Sequence, residues 1–188
     1  YTAVNVRIKN SQYVFDVKTP TETIQNIEFS LPGKHNLMNA LMALAMAKTF
    51  SLPTEDIANA LRSFKGIKRR FSYQIKNEKL VYIDDYAHHP TEINAVHQAV
   101  RELYPNQKVL AIFQPHLFSR TKDFADEFAN SLAAFDEVIL LDIYPARELP
   151  MEGITSNWLL GKIENSNKKL VSKQVLIPTI IESDSTVI

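Results

Sequence analysis

The sequence predicts an α/β protein in which a mostly parallel sheet is covered by helices on both faces. From about residue 66 onward, apolar runs alternate with amphipathic segments. Within the segments 108–113 and 138–142, residues 109–113 and 138–141 are continuously apolar, which is typical of strands that are buried on both faces. Residues 1–31 show instead the alternation of short antiparallel strands.

Composition and charge exclude several classes of protein. Apolar residues make up 45% of the 188 residues, and 21 basic residues balance 21 acidic ones. This balance gives no electrostatic footprint for nucleic acid or for an anionic membrane, and no apolar run is long enough to span a bilayer. The chain has no cysteine, which excludes disulfides and thiolate metal sites and is compatible with a reducing cytoplasm.

The first part of the chain is predicted to contain three strands and two helices. The strands alternate apolar and polar residues at 4–8, 13–17 and 27–31. After Pro32 and Gly33, a segment rich in Leu and Ala predicts a helix at 35–49. A second helix is predicted at 53–64, because its early acidic residues suit a helix N-terminus. Gly66 marks the predicted domain boundary.

The second part is predicted to alternate strands and helices. In chain order we expect a hairpin at 70–74 and 80–84, a helix at 90–103, a strand at 108–113, a helix containing Phe124, Phe128 and Leu132, a strand at 138–142, a helix at 155–164, and a short strand at 175–177 ended by Pro178. Residues 185–188 read as the start of a further strand.

Three predicted strands are followed by conspicuously polar or aromatic segments, at 84–90, 114–120 and 142–148. In open α/β sheets, ligands bind beyond the carboxyl ends of the strands. If these strands are parallel, the three segments lie along one rim of the sheet. This coincidence predicts a binding site there.

The first rim segment allows three interpretations. Pro90 fits the first turn of a helix and places His88 and His89 in the preceding loop. Asp85 could satisfy backbone donors of the turn, or its carboxylate could accept ligand hydroxyls while the histidines orient a substrate. A metal site is a third interpretation, although adjacent histidines rarely face the same ion.

The second and third rim segments also leave alternatives open. Arg120 lies near a predicted helix N-terminus, where a cation is disfavoured unless an anion binds; the alternative is a solvated arginine facing Asp123 or Asp126. His116 alone would more often be structural. Without further information, Arg147 and Glu148 would be interpreted as a surface ion pair.

A fourth polar group opens the first predicted helix. His35, Asn36 and Asn39 share one face of its first turn. Asparagine can both donate and accept hydrogen bonds, as recognition of a purine edge requires; simple capping by Asn36 is the equal alternative. No stretch matches a phosphate-binding G-x-x-x-x-G-K-[ST] loop, a serine nucleophile elbow or a zinc-protease motif. We therefore expect no catalysis from this chain alone.

Taken together, these segments resemble the Mur ligases. The string GKHNLMNA at 33–40 is similar to the family's G-x-H-N-x-x-N-A helix start, and KRRF at 68–71 resembles the entry to its C-terminal domain. The strings DDYAHHPTE at 84–92, FQPH at 113–116 followed by SRT at 119–121, and DIYPARE at 142–148 are similar to the alanine-adding branch. The resemblance covers essentially the whole chain.

The resemblance implies a role for nine residues. Five match positions that bind the nucleotide: His35, Asn36, Asn39, Arg70 and Asp85. Four match positions near the incoming amino acid and the reacting carboxylate: Tyr86, His88, His116 and Arg120. Leu117 departs from the arginine that is common in this branch.

The resemblance also implies the architecture and the reaction. Residues 1–64 would end the central ATP-binding domain, and residues 65–188 would form most of a Rossmann-like C-terminal domain. The intact cytoplasmic protein would use ATP and magnesium to join L-alanine to UDP-N-acetylmuramate through an acyl phosphate, with the phosphate loop and the magnesium ligands mainly in the missing domains. The alternatives are a murein-peptide recycling ligase, a non-catalytic nucleotide-binding module, and a metal hydrolase using His88, His89 and His116.

Overall fold

The computed structural model describes residues 1–9 and 12–188. Three strands open the chain: β1 (Thr2–Lys9), β2 (Gln12–Lys18) and β3 (Thr23–Phe29). They form an antiparallel sheet in the order β1-β2-β3. The three strands expected from the alternating pattern are confirmed.

Two helices cover this sheet and build the first core. Helix α1 (Lys34–Thr49) and helix α2 (Thr54–Ser63) lie where the sequence predicted them. Leu44 of α1 is 1% exposed and packs in one cluster with the fully buried Phe15 and Val17 of β2. Burial of such side chains stabilises this part by roughly 1.5–3 kcal/mol each.

The second part of the chain alternates strands and helices as expected. Its elements are β4 (Ser72–Lys76), β5 (Val81–Asp84), α3 (Pro90–Leu103), β6 (Leu110–Phe113), α4 (Phe118–Asp123), α5 (Ala125–Ala133), β7 (Glu137–Leu140), α6 (Ser156–Lys162), β8 (Lys168–Leu170) and α7 (Leu176–Ile181). Strands β4 and β5 form the expected antiparallel hairpin.

Val187 joins this hairpin to a parallel three-stranded sheet. The sheet has the order β6-β7-β8, with all strands parallel. Val187 forms parallel bridges to Val81 of β5 and to Val109, just before β6. Strands β5, β6 and β7 therefore run in the same direction, and their carboxyl ends meet at one rim.

Strand β7 is the centre of the second core. Val138, Ile139 and Leu140 are consecutive and all fully buried. Because successive strand residues point to opposite faces, both faces of β7 are covered. Helices α3, α5 and α6 pack side by side. The predicted α/β class with a mostly parallel, helix-flanked sheet is confirmed.

The expectation of a strand at 175–177 is wrong. Val175 is the N-cap of helix α7, residues 176 and 177 begin it, and Pro178 lies in its first turn, where its missing N–H is not needed by the helix. The strand that pairs with β7 is instead β8, a three-residue segment containing two lysines. A segment so short and polar gives no periodic signal, and only its pairing with β7 makes it a strand.

The single helix expected around Phe124 is divided into two. Helix α4 ends at Asp123 and helix α5 begins at Ala125, with Phe124 between them at φ −117°. The break lets the Phe124 ring pack edge-on against the His89 ring, with centroids 4.7 Å apart. Among the described residues, no helix is long and apolar enough to cross a membrane.

We expect Val187→Ala to destabilise the chain. Val187 is fully buried, and removal of two buried methyl groups costs about 2 kcal/mol, including the cavity that remains. Urea unfolding followed by circular dichroism measures this loss. Val175→Ala is the matched control because Val175 is 49% exposed. Equal stability of the two variants would contradict the role of Val187 in joining the hairpin to the sheet.

Candidate functional site

The second and third rim segments lie side by side. His116 and Tyr144 form a parallel bridge beyond the ends of β6 and β7. The Leu117 N–H donates to the Tyr144 carbonyl at 3.0 Å, and the Tyr144 N–H donates to the Pro115 carbonyl at 2.8 Å. The rings of His116 and Tyr144 stack with centroids 5.4 Å apart. The structure therefore brings these two segments together at the rim, as the strand polarity predicted.

The first rim segment reaches the same region from β5. The Tyr86 and His88 rings are 5.2 Å apart, and the Arg69 guanidinium lies over the Tyr86 ring at 4.8 Å. His88 is close enough to His116 for its charge to contribute to the lowered pKa of that imidazole. The four side chains expected near the amino acid thus lie on one rim: Tyr86, His88, His116 and Arg120.

The Asp85 carboxylate accepts hydrogen bonds from two different loops. One carboxylate oxygen accepts the Phe71 N–H at 2.7 Å, and the other accepts the Ala87 N–H at 2.7 Å. The turn-stabilising interpretation of Asp85 therefore holds for its present contacts. The same side chain also lines the large cavity described below, so the ligand-binding interpretation is compatible with its position.

His88 and His89 face different neighbours. The His88 N–H donates to Glu92 Oε2 at 2.9 Å, whereas the His89 ring accepts the Thr91 N–H at 3.3 Å and caps α3. Both histidines lie in the loop before Pro90, as predicted. Among residues 1–9 and 12–188, no cluster of three or more His, Asp or Glu side chains is arranged to hold a metal ion.

Arg120 lies beside His116. Asp126, which the sequence offered as a surface partner for Arg120, pairs instead with Lys162 at 2.8 Å. Partial burial, together with the positive charge of Arg120, lowers the pKa of His116 below its ordinary value. A lowered pKa favours the neutral imidazole over the imidazolium.

The interpretation of Arg147 and Glu148 as a surface pair is wrong for Glu148. Its carboxylate accepts both the N–H and the hydroxyl of Ser119, 29 residues earlier in the chain. These bonds lower the pKa of Glu148, the hydroxyl contributing most. The carboxylate is therefore ionised at neutral pH, and it belongs to the rim.

The start of α1 depends on Gly33. Its φ of +93° is a conformation that L side chains rarely adopt, and an added Cβ would lie 2.7 Å from the His35 ring. The Asn36 side chain donates to the Pro32 carbonyl at 2.7 Å; this is a local structural contact and not a cap, because the N-cap of α1 is Gly33, which has no side chain. His35 and Asn39 are exposed.

One cavity of about 1020 Å³ brings together the residues expected at the nucleotide. It lies between α1, α2 and the start of α3, and its lining is mostly apolar. All five expected residues line it: His35, Asn36, Asn39, Arg70 and Asp85. Its size suits a nucleotide-sized ligand.

The hydroxyl of Tyr13 fixes α1 relative to α3. It donates to Glu102 Oε2 at 2.6 Å and accepts the Gly33 N–H at 3.1 Å. Burial and the Glu102 carboxylate raise the pKa of Tyr13 well above its ordinary value. Since the cavity is bordered by both helices, this bond helps to set its shape.

Sequence reasoning missed four residues that shape the site. Tyr13 and Glu102 join the two cores, Glu92 holds both the His88 N–H and the Arg70 guanidinium, at 2.9 and 3.5 Å, and Glu148 binds Ser119. Their partners are distant in the chain or form no periodic pattern. The only signals were the positions of Glu92 inside the string at 84–92 and of Glu148 inside the string at 142–148.

A parallel sheet with a polar rim beside a nucleotide-sized cavity defines an α/β ligand-binding domain. Residues 69–180 match the family model for the Mur ligase, glutamate ligase domain. This match covers more than half of the 188 residues. The chain therefore belongs to the Mur ligase family, as the resemblance of its motifs implied.

Relatives and solved structures agree with this family. The chain is 73% identical to the UDP-N-acetylmuramate--L-alanine ligase of Flavobacterium psychrophilum and 70% identical to that of Flavobacterium johnsoniae, over the whole chain and 42% of each relative. The UDP-N-acetylmuramate-alanine ligase structure from Thermotoga maritima superposes with a TM-score of 0.77 at 24% identity, over 98% of this chain and 40% of that one. The Thermotoga maritima folylpolyglutamate synthase gives 0.69 at 17% identity, over 97% and 42%. These structures show the shared fold.

We expect the stability of the chain to fall as the pH rises above about 10, the ordinary pKa of tyrosine. The pKa of Tyr13 is raised in the folded state. A raised pKa stabilises the fold below the unfolded-state pKa, and this stabilisation is lost as the pH rises through the folded-state value. Tyr73 has a raised pKa from burial as well, so Tyr13→Phe should remove only part of the slope.

Urea unfolding between about pH 8 and about pH 11 measures this dependence. Tyr82→Phe is the control, because Tyr82 is 40% exposed on β5. A pH slope that is the same in Tyr13→Phe and in the unaltered chain would contradict the buried Tyr13–Glu102 bond.

We expect Arg120→Gln to raise the pKa of His116. The guanidinium charge is one cause of the lowered pKa of this imidazole, so its removal should return the pKa toward the ordinary value. Proton NMR titration of the His116 ring measures the change. Lys122→Gln, which removes an exposed charge two residues away, should leave the titration nearly unchanged; an equal effect of both variants would show that Arg120 does not lie beside His116.

Proposed function

We propose that this chain is the C-terminal part of an ATP-dependent ligase that joins L-alanine to UDP-N-acetylmuramate. The observation that carries the proposal is the placement of nine motif residues in two groups, five lining one cavity and four on the adjoining rim. The names of the two Flavobacterium relatives support the same reaction. Because the chain spans 42% of their length, the rest of the catalytic apparatus would lie in other parts of the protein.

In this proposal residues 1–64 end a central ATP-binding domain and residues 65–188 belong to the C-terminal domain. Two separate clusters of buried residues support the division, one around Phe15 and Leu44 and the other around Val138 and Leu140. The phosphate-binding loop and the main site for the UDP sugar would be supplied by the remainder of the ligase.

The nucleotide would occupy the cavity between the two clusters. Its apolar wall, which includes Ala40 and Ala43 of α1, suits the faces of a purine. The exposed amide of Asn39 can donate to and accept from the purine edge. Bound ATP would supply the phosphoryl group that activates the muramate carboxylate. Arg70, which lines the same cavity and lies 3.5 Å from Glu92, would contact the nucleotide.

The amino acid would bind at the rim. Arg120 can hold its carboxylate with two parallel hydrogen bonds, and Tyr86 and His88 border the same space. His116 at the same rim would help to orient the amine, which must lose its ammonium proton before it attacks a carbonyl carbon. Most of the rate enhancement would come from positioning these groups.

Magnesium and a cytoplasmic location complete the proposal. The family resemblance implies magnesium with the nucleotide, and the ligands would lie in the remainder of the protein. ATP and a UDP sugar are cytoplasmic substrates, which supports the location.

The murein-peptide recycling ligase is the nearest alternative. The names of the relatives that are 73% and 70% identical favour alanine addition over this alternative. An assay of the full-length ligase with L-alanine and with the tripeptide, followed by phosphate release, separates the two. Release of phosphate with the tripeptide alone would overturn alanine addition. ATP binding without turnover would indicate a nucleotide-binding module.

We expect Asn39→Ala to weaken ATP binding by the full-length ligase up to about tenfold, the loss of one hydrogen bond. Asn39 is exposed at the mouth of the cavity, and alanine favours the helix, so the fold should be retained. Isothermal titration calorimetry measures the affinity.

Asn59→Ala provides the matched control, because Asn59 is an exposed asparagine of α2. It should bind ATP like the unaltered ligase. Unchanged affinity in Asn39→Ala would refute the assignment of the cavity to the nucleotide. The 188-residue chain alone should show no ATP-dependent ligation.

A further inference from the structure

Helix α4 begins without a capping side chain of its own. Its N-cap is Leu117, whose side chain has no polar atom to accept the first N–H groups of the helix. A helix start in this position needs acceptors from elsewhere. The requirement matters because α4 carries Arg120 and follows directly on His116.

Glu148 supplies these acceptors. One carboxylate oxygen accepts the Ser119 N–H at 3.0 Å, and the other accepts the Ser119 hydroxyl. The hydroxyl, the Ser119 N–H and the Phe118 N–H all lower the pKa of Glu148, which is the effect expected of a carboxylate at a helix start. Hydrogen bonds to an ionised acceptor are stronger than those to a neutral one.

A tight turn orients the Glu148 side chain toward α4. The Glu148 N–H donates to the Pro145 carbonyl at 2.9 Å, and Ala146 has a φ of +52°. This turn follows directly on Tyr144, which stacks on His116. The segment 144–148 therefore contacts the segment 116–119 at both ends, through Tyr144 on His116 and Glu148 on Ser119.

The backbone conformation of Leu117 explains why these contacts are needed. Its φ is +73° with ψ at 132°, a conformation that costs a non-glycine residue on the order of 1–3 kcal/mol. Such a conformation persists only where the surroundings fix it. The Tyr144 carbonyl holds the Leu117 N–H at 3.0 Å, and Glu148 holds Ser119 on the other side.

We propose that Glu148 is a positioning residue of the ligase: through Ser119 it holds the strained Leu117 turn that presents His116 and Arg120 to the amino acid. Without this carboxylate, the turn relaxes and the two side chains leave their positions at the rim. The inference rests on the proposed function only for the identity of the amino acid.

The first test uses the 188-residue chain and needs no catalysis. In Glu148→Ala, hydrogen exchange of the Ser119 amide should become at least about tenfold faster, since a bond to a charged acceptor is lost. Glu148→Gln keeps one acceptor oxygen and should lie between. Glu152→Ala removes an exposed acidic residue from the same loop and should leave the Ser119 exchange unchanged.

The second test uses the full-length ligase. Glu148→Ala should raise KM for L-alanine about tenfold, with KM for ATP unchanged and kcat reduced less, and Glu148→Gln should restore part of the affinity. A purely structural loss would instead lower the amount of active enzyme and leave every KM unchanged.

Each result decides the inference. Ser119 exchange that is equal in Glu148→Ala and the unaltered chain overturns it, as does faster exchange with an unaltered KM for the amine substrate. If the ligase uses an amine other than alanine, the proposed reaction fails, and the KM of that amine then decides the role of Glu148.

Discussion

One buried hydroxyl, that of Tyr13, joins the two cores of this chain. It comes from strand β2, donates to Glu102 near the end of α3, and accepts the Gly33 N–H at the start of α1. A shift of either core would leave a buried donor or acceptor without its partner, which costs about 1–3 kcal/mol. The Tyr13 hydroxyl bonds to a residue of α3 and to the start of α1. It therefore helps to set the distance between these two helices, which border the cavity.

The rim depends on strained backbone that distant contacts hold in place. Arg69, Phe71, Leu117 and Ala146 have φ values of +60°, +49°, +73° and +52°. The Phe71 N–H is bound by Asp85, and the Arg69 carbonyl accepts the Tyr86 N–H at 2.7 Å. Strain of this kind is retained at sites where a defined side-chain direction is needed. Asp85 makes the structural contact that the sequence offered as one interpretation, and it also lines the cavity between α1, α2 and α3.

Local pattern predicted most of the fold and misjudged its least periodic parts. The helix start at Pro90 and the hairpin before it follow from turn chemistry and alternation, which act over a few residues. Strand β8 and helix α7 were misjudged because pairing with β7 makes Lys168–Leu170 a strand, and a proline in a first helical turn is no break. For the site, the ends of the predicted strands indicated the rim correctly. The prediction of a surface ion pair between Arg147 and Glu148 was wrong, because Glu148 binds Ser119 instead.

The sequence by itself determined the α/β class, the order of the elements and the position of the polar segments at the strand ends, because periodicity and strand polarity are local properties. The family was also readable from its motif strings. Only the tertiary structure decided which side chains meet: Tyr13 and Glu102 are 89 residues apart, and Ser119 and Glu148 are 29 apart. Such pairs have no sequence period, since they form only when tertiary packing brings their elements together.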